Sequence, residues 1–152
     1  MKIRRVEAKR YLKLRIAATI IDYGIYALLF FIYVYCVGDP AEDGSMKVTG
    51  LKALPVFAFW GLYFIGLEGY NQATPGHDVC GLIVVKTTGE EITFYDAFKR
   101  RIVDFIDICI YGLPALICIY KTPLHQRLGD LLADTLVVKK SDVTETEVVF
   151  KQ

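Results

Sequence analysis

Two long apolar stretches dominate the chain, and the remainder alternates short apolar runs with charge. The first stretch, Ile16 to Val37, is 22 residues with a single charge, Asp22. A helix rises about 1.5 Å per residue, so this stretch covers the roughly 30 Å hydrocarbon core of a bilayer. Gly38-Asp39-Pro40 stops it, and a polar loop over 38–52 follows. The second stretch is uncharged from Ala53 to Leu67 and reaches 20 residues when extended back to Val48. Lys52 then lies near its end, where a long side chain reaches the interface. Pro55 falls in the first turn, where a missing N–H is tolerated. Trp60 and Tyr63 lie nearer mid-span than an aromatic belt would place them, which points to packing.

Residues 68–93 read as water-facing. Thr74-Pro75-Gly76 is a turn signal. Gly81 to Lys86 is a β-like run, Thr88-Gly89 a turn, and Glu91 to Thr93 a return strand, which together predict a small hairpin. Thr135 to Val138 is a second β-like run, expected beside Leu82–Val85. Thr93 and Asp96 fit a capping box, so a helix should start near Phe94. It carries Asp96, Arg100, Asp104 and Asp107 at spacings of four, four and three, one helix face. On spacing alone, a solvated or headgroup-facing stripe is the expected role of that face. The third hydrophobic segment, Phe105 to Tyr120, is 16 residues long and is interrupted by Gly112-Leu113-Pro114. A span needs about 20 residues, so this segment either re-enters with a bend at Gly112–Pro114 or crosses as a short third span.

Charge arbitrates. Residues 1–15 hold seven Lys/Arg and one acid, and residues 121–152 hold five Lys/Arg. The positive-inside bias places both ends in the cytoplasm and favours the re-entrant arrangement. The apolar run after the basic N-terminus is too long for a signal-peptide core and no A-x-A site follows it, so the first helix is expected to stay as an anchor. Hydrophobic residues make up 54% of the chain and mean hydropathy is +0.37. The expected fold is an all-α membrane protein, multi-pass in the cell inner (plasma) membrane. It has two transmembrane helices, a third and re-entrant hydrophobic helical segment, and a small cytoplasmic β-hairpin or strand element. Residues 10–140 form the membrane domain. Residues 141–152 form a polar tail with Val148–Phe150 as its apolar patch.

Little in the sequence suggests catalysis. Cys36, Cys80, Cys109 and Cys118 have no C-x-x-C spacing, and His77 and His125 are the two histidines. A zinc site needs about four N/S ligands in workable spacing, so neither a metal nor a cofactor is expected, nor is a disulfide framework. No nucleophile–base pair or Gly-rich phosphate loop is recognisable, which argues against an enzyme. The basic N-terminus has no nucleic-acid motif and reads as a lipid-headgroup signal. Asp22 is the sharpest signal, because a carboxylate inside a spanning helix costs a few kcal/mol on insertion scales and usually pairs within the protein. Arg15 lies roughly 10 Å from it along the axis. A cation from elsewhere is therefore expected, with Arg100, Arg101 and Arg127 as candidates. Asp22 is either an ion- or proton-binding carboxylate or the structural half of a buried salt bridge. Asp107 poses the same choice, and the two could titrate as a pair.

These residues resemble a family of bacterial membrane proteins, the RDD family, named for one Arg and two Asp. Arg15-Ile-Ala-Ala18-Thr-Ile-Ile-Asp22 looks like its R-x-x-A-x-x-x-D opening. Thr74-Pro75-Gly76 is similar to its T-P-G-K turn, followed by a strand here reading Gly81-Leu82-Ile83-Val84-Val85. Asp107 falls where the second Asp should be. Gln126-Arg127-Leu128-Gly129-Asp130-Leu131-Leu132-Ala133-Asp134-Thr135 resembles the Q-R-L-G-D-x-x-A-x-T ending, which brings Arg127 and Asp130 into the same charge network. Two positions depart: His77 replaces the Lys of T-P-G-K, and Asp104 stands where a basic residue is common. The resemblance implies transport of a small cation coupled to protons, as a homo-oligomer or with another membrane protein and with lipid as a partner. The alternative it implies is a non-catalytic membrane adaptor or assembly factor.

Overall fold

The computed structural model describes residues 2–6, 8–104, 107, 110 and 112–147. The first apolar stretch is one helix, α1 (Leu12–Val37), four residues longer at its start than the apolar run alone predicts. Gly38 caps it with its amide on the Val34 carbonyl. A two-residue hairpin, β2 (Asp39–Pro40) with β3 (Met46–Lys47), turns the chain back. The second span runs from Gly50 to Asn71 as a composite helix. It opens with a 3₁₀ turn, continues as α2 (Leu54–Trp60) with Pro55 in its first turn, and widens into a π segment over Gly61–Gly66. It closes as α3 (Leu67–Asn71). A π turn shifts the register of the faces that follow it. Here it turns Tyr63, Phe64 and Glu68 inward, all three buried. Tyr26 stacks on Phe59 and tilts against Tyr63 and Phe64, so aromatic rings fill the seam between the spans. The outer faces carry exposed Leu28, Phe31, Phe57 and Leu62, the surface expected against lipid.

The remaining chain folds around the first half of α1. Thr74-Pro75-Gly76 is a helix start and not the free turn expected: Thr74 caps α4 (Pro75–Val79), with Pro75 in its first turn, where a missing donor costs nothing. The strand β4 (Leu82–Lys86) pairs antiparallel with β5 (Thr135–Lys139), Leu82 opposite Lys139 and Lys86 opposite Thr135. The expected pairing of Leu82–Val85 with Thr135–Val138 is therefore present. The expected hairpin shrinks to one bridge, Val85 to Glu91, because on that edge of β4, opposite β5, the Gln72 carbonyl takes the Val84 amide and the Gln72 side chain takes the backbone of Ile92. Ala18, Leu82, Val84, Ile92, Ala97 and Val137 form a buried cluster under this ladder.

The helix predicted at Phe94 is α5 (Phe94–Ile102), closed by the capping box of Thr93 and Asp96. The Thr93 amide donates to Asp96 at 2.9 Å. The break foreseen at Gly112–Pro114 is where α6 (Leu113–Lys121) begins, with Gly112 in the left-handed region at φ +75°. Nine residues of helix reach about 14 Å, too little to cross a bilayer. Much of the third segment, including Cys109, lies outside the described residues. A short helix, α7 (Leu128–Leu132), precedes β5. The segment expected as a polar tail begins with a strand. β6 (Val143–Glu147) pairs antiparallel with β1 (Lys2–Val6), so the two terminal segments lie side by side. The Val148–Phe150 patch lies outside the described residues.

Candidate functional site

Asp22 sits more than two turns into α1, on the face with buried Arg15 and Ala18. Its partners are not the arginines expected for it. Oδ1 accepts from the Gly76 amide at 2.7 Å and from the Tyr63 hydroxyl at 3.2 Å. Oδ2 accepts from the Thr74 hydroxyl at 2.5 Å. His77 Nδ1 lies 3.6 Å from Oδ2, too long for a direct hydrogen bond, and 2.6 Å from Thr74 Oγ1. Neutral donors from α4 and the second span therefore satisfy a carboxylate that sequence reasoning gave to a cation. A helix N-terminus presents free N–H groups where no charged side chain is needed, which is why α4 can take this role. Gly76 makes the approach possible. A Cβ there would stand 2.2 Å from the Ala18 carbonyl oxygen and 2.7 Å from the Asp22 Cγ.

The arginines gather a few residues nearer the start of α1, in a closed ring of alternating charge. Asp130 takes Arg100 Nη2 at 3.1 Å and Arg127 Nε at 3.3 Å. Arg100 Nε faces Glu68 at 3.2 Å, and Glu68 also pairs with Arg101. Arg101 meets Asp104 at 2.9 Å, and Asp104 meets Arg127 at 3.0 Å, which closes the ring on Asp130. Arg15 joins from α1, with Nη2 2.5 Å from Asp130 and Nη1 donating to the His125 carbonyl at 2.8 Å. His125 holds a left-handed conformation, φ +53°, at the corner where that carbonyl faces Arg15. The ring thus ties together α1, the end of the second span, α5, Asp104 and α7.

Each element delivers its charge for a local reason. Adjacent positions in α5 supply both Arg100 and Arg101. Asp130 is in the first turn of α7 and also reaches back to the Arg127 amide at 3.1 Å, so one carboxylate caps a helix and bridges three arginines. Gly129 lets the two helices touch, since a Cβ there would lie 2.4 Å from the Arg100 carbonyl oxygen. Burial alone would raise the Asp130 and Asp104 carboxyls. The surrounding guanidiniums outweigh it and hold both below the usual carboxylate range. Burial works against Arg101 and Arg127 in the same way, yet the facing carboxylates raise both above the ordinary guanidinium value. For Arg100 burial prevails and the shift is downward.

The face bearing Asp96, Arg100, Asp104 and Asp107 is buried throughout, which overturns its reading as a solvated stripe. Spacing shows which residues share a face, and cannot show that Glu68, Asp130, Arg15 and Arg127 from other segments close over it. Glu68 was missed altogether. Its signal was a carboxylate immediately after an uncharged 15-residue run, the same kind of signal that singled out Asp22.

Asp107 is set apart from the ring. Among the described residues neither of its oxygens makes a hydrogen bond or an ion pair, though it is buried. The Ala115 amide adds a weak backbone interaction. Burial pushes this carboxyl up, against the pull of Arg127. Asp107, Asp104, Arg100, Arg127 and His77 contribute to the wall of a cavity of about 570 Å³. Ile16 and Ile20 of α1 and Leu116 and Ile119 of α6 supply apolar wall. The expected titrating pair of Asp22 and Asp107 is not formed as such: Asp22 is enclosed by α4 and the second span, and Asp107 stands at the cavity.

The family model of the RDD family matches residues 12–134, a stretch that takes in Arg15, Asp22, the whole ring and Asp107. An uncharacterized protein of Bacillus subtilis (strain 168), YckC, is 30% identical over 131 residues, which is 82% of this chain and 80% of that protein. No solved structure matches the chain. The match spans both apolar helices and continues through the Gln126–Asp134 ending, and on that extent the chain belongs to the RDD family.

Proposed function

We propose that this membrane protein exchanges a small cation for protons across the plasma membrane, without enzymatic chemistry, and that Asp107 is the exchanging carboxylate. The observation that supports the reading is the contrast among its buried acids. Asp22, Glu68, Asp104 and Asp130 each hold hydrogen-bond or ion-pair partners, whereas Asp107 has neither among the described residues and borders the cavity. A buried carboxyl without a partner favours its proton, and a cation arriving in its place restores the charge. Two spans enclose no pathway alone, so the working unit is an oligomer of this chain within lipid. The two terminal strands lie together, which supports both ends on one face of the membrane, and the positive-inside bias of the basic N-terminal segment supports the cytoplasmic face.

The test is ion flux in proteoliposomes containing this protein alone, with Asp107→Asn beside the parent. Proton-coupled uptake of sodium or potassium by the parent, abolished in a folded Asp107→Asn protein, is the expected result. Absence of flux at every pH in the folded parent refutes transport and leaves a membrane adaptor as the reading.

A further inference from the structure

His77 stands where the resemblance leads one to expect a lysine, and the substitution changes what the α4 cap can do. The Thr74 hydroxyl has one hydrogen and two lone pairs. It donates to Asp22 Oδ2 at 2.5 Å, so towards His77 Nδ1, 2.6 Å away, it can only accept. The neutral imidazole therefore carries its proton on Nδ1, which leaves Nε2 as the unprotonated nitrogen. His77 contributes to the wall of the cavity that holds Asp107. Asp22 itself is not among the cavity's lining residues. The lysine expected at this position would bring a charge but no second ring nitrogen.

We infer that His77, Thr74 and Asp22 form a proton relay that connects the cavity to the carboxylate inside α1. A proton from the cavity binds Nε2, and Nδ1 releases its proton to the Thr74 oxygen. The Thr74 hydroxyl proton passes to Asp22 Oδ2. One proton has entered, Asp22 has become a carboxylic acid, Thr74 is a hydroxyl again, and His77 is neutral with its proton on Nε2. Reversing the sequence returns the proton to the cavity. The relay rests on the reading that this protein exchanges protons, and it adds Asp22 as a second proton store beside Asp107.

The surroundings suit the passage. The groups facing His77 are Asp22 from α1, Glu68 from the second span, and Arg100 and Arg101 from α5. Burial lowers the His77 pKa, the arginines act in the same sense, and Asp22 and Glu68 oppose them. A ring kept neutral near physiological pH accepts a proton transiently and passes it on. Asp22 keeps its Gly76 and Tyr63 donors on Oδ1 throughout, so charging and discharging Oδ2 leaves α1 docked on α4.

The experiment uses the full chain in lipid nanodiscs, with ¹³C-labelled aspartate and ¹⁵N-labelled histidine. Infrared difference spectra over a pH series should contain a protonated-carboxyl band that Asp22→Asn removes. Hydrogen–deuterium exchange of that band should slow by about 10²-fold in Thr74→Val and in His77→Gln, the scale of positioned acid–base assistance. Thr74→Ser should exchange at the parent rate. Nitrogen shifts in the parent protein, which need no variant to fold, should show neutral His77 protonated on Nδ1. A resting Nε2–H tautomer overturns the relay, as does unchanged exchange in folded Thr74→Val and His77→Gln, or the absence of an Asp22 acid band at any pH where the fold persists. Flux reports separately: a parent with relay behaviour but no transport refutes the exchanger and keeps the relay, and transport with unchanged exchange does the reverse.

Discussion

Asp130→Asn is the most exposing perturbation of the charge ring, because one carboxylate there serves Arg15, Arg100 and Arg127. Its contacts are 2.5, 3.1 and 3.3 Å, and it is fully buried. With charge centres about 4 Å apart and an effective dielectric near 20, each pair has a gross attraction of about 4 kcal/mol. Against the sum stands a desolvation penalty of several kcal/mol for each ion. Asparagine keeps the shape and one acceptor, but it leaves Arg15, Arg100, Arg101 and Arg127 facing only Glu68 and Asp104. Removing one partner from a buried ion pair costs about 3–5 kcal/mol, mainly through the stranded charge. That is a third or more of the stability of an ordinary domain. Unfolding of the reconstituted protein, followed by denaturant titration, should register the loss. Arg15→Met in the Asp130→Asn background should recover part of it, since Arg100 and Arg127 keep Glu68 and Asp104 as partners whereas the Arg15 ion pair is with Asp130. A loss below about 1 kcal/mol, the scale of an exposed pair, would refute the claim that the ring is dry and coupled, and so would additive behaviour of the two substitutions.

Gly76→Ala should separate α4 from α1, because the new methyl collides with the Ala18 carbonyl and the Asp22 carboxyl. Overpacking of this kind costs about 1–3 kcal/mol, and an unchanged unfolding midpoint would show that the contact is looser than described. His77 sets a pH dependence whose sign is fixed by its lowered pKa. Below the ordinary histidine value near 6.5 the unfolded chain binds more protons than the native one. Stability should therefore fall on acidification from about pH 6.5 towards the folded pKa. His77→Gln should flatten that slope, and an identical slope in the variant would assign it to other groups. Cysteines placed at Lys2 and Lys151 should both resist labelling from outside intact cells. External labelling at Lys151 alone would establish a third full crossing by the segment over 105–120.

Much of the fold could be read locally. The long apolar runs, the stop at Gly38, the capping box at Thr93 and the break at Gly112 each rest on a few adjacent residues, and each recurs in the structure. What escaped was decided between distant segments. The return strand at Glu91 has acceptable β pattern, but Gln72, just past the end of the second span, takes the Val84 amide on that edge with its carbonyl and holds Ile92 with its side chain. The Thr74-Pro75-Gly76 turn has the composition of a loop, yet Thr74 followed by Pro75 is equally a cap and a first helical residue, and the choice falls to Asp22 in another helix. The pairing of β1 with β6 has no local signal, because neither charged segment forms a strand pattern without the other.

The site shows the same division with a sharper edge. Burial cost marks Asp22 as a residue to be satisfied within the protein, and three donors surround it; the motif ending groups Arg127 with Asp130, and the two side chains lie 3.3 Å apart. The further step, that a buried carboxylate requires a formal cation, does not follow. Three neutral donors aimed from a helix start and a tyrosine do the same work for Asp22. That leaves the arginines free to close a ring of their own. Within that ring Arg15, Arg100, Arg101 and Arg127 face Glu68, Asp104 and Asp130, which leaves one positive charge unmatched. Asp107 is the next acid along the same face and borders the same cavity. When it is ionised the cluster is neutral, and when it is protonated the cluster carries one charge. The arrangement therefore makes the net charge of this cluster depend on a single carboxyl at the cavity wall.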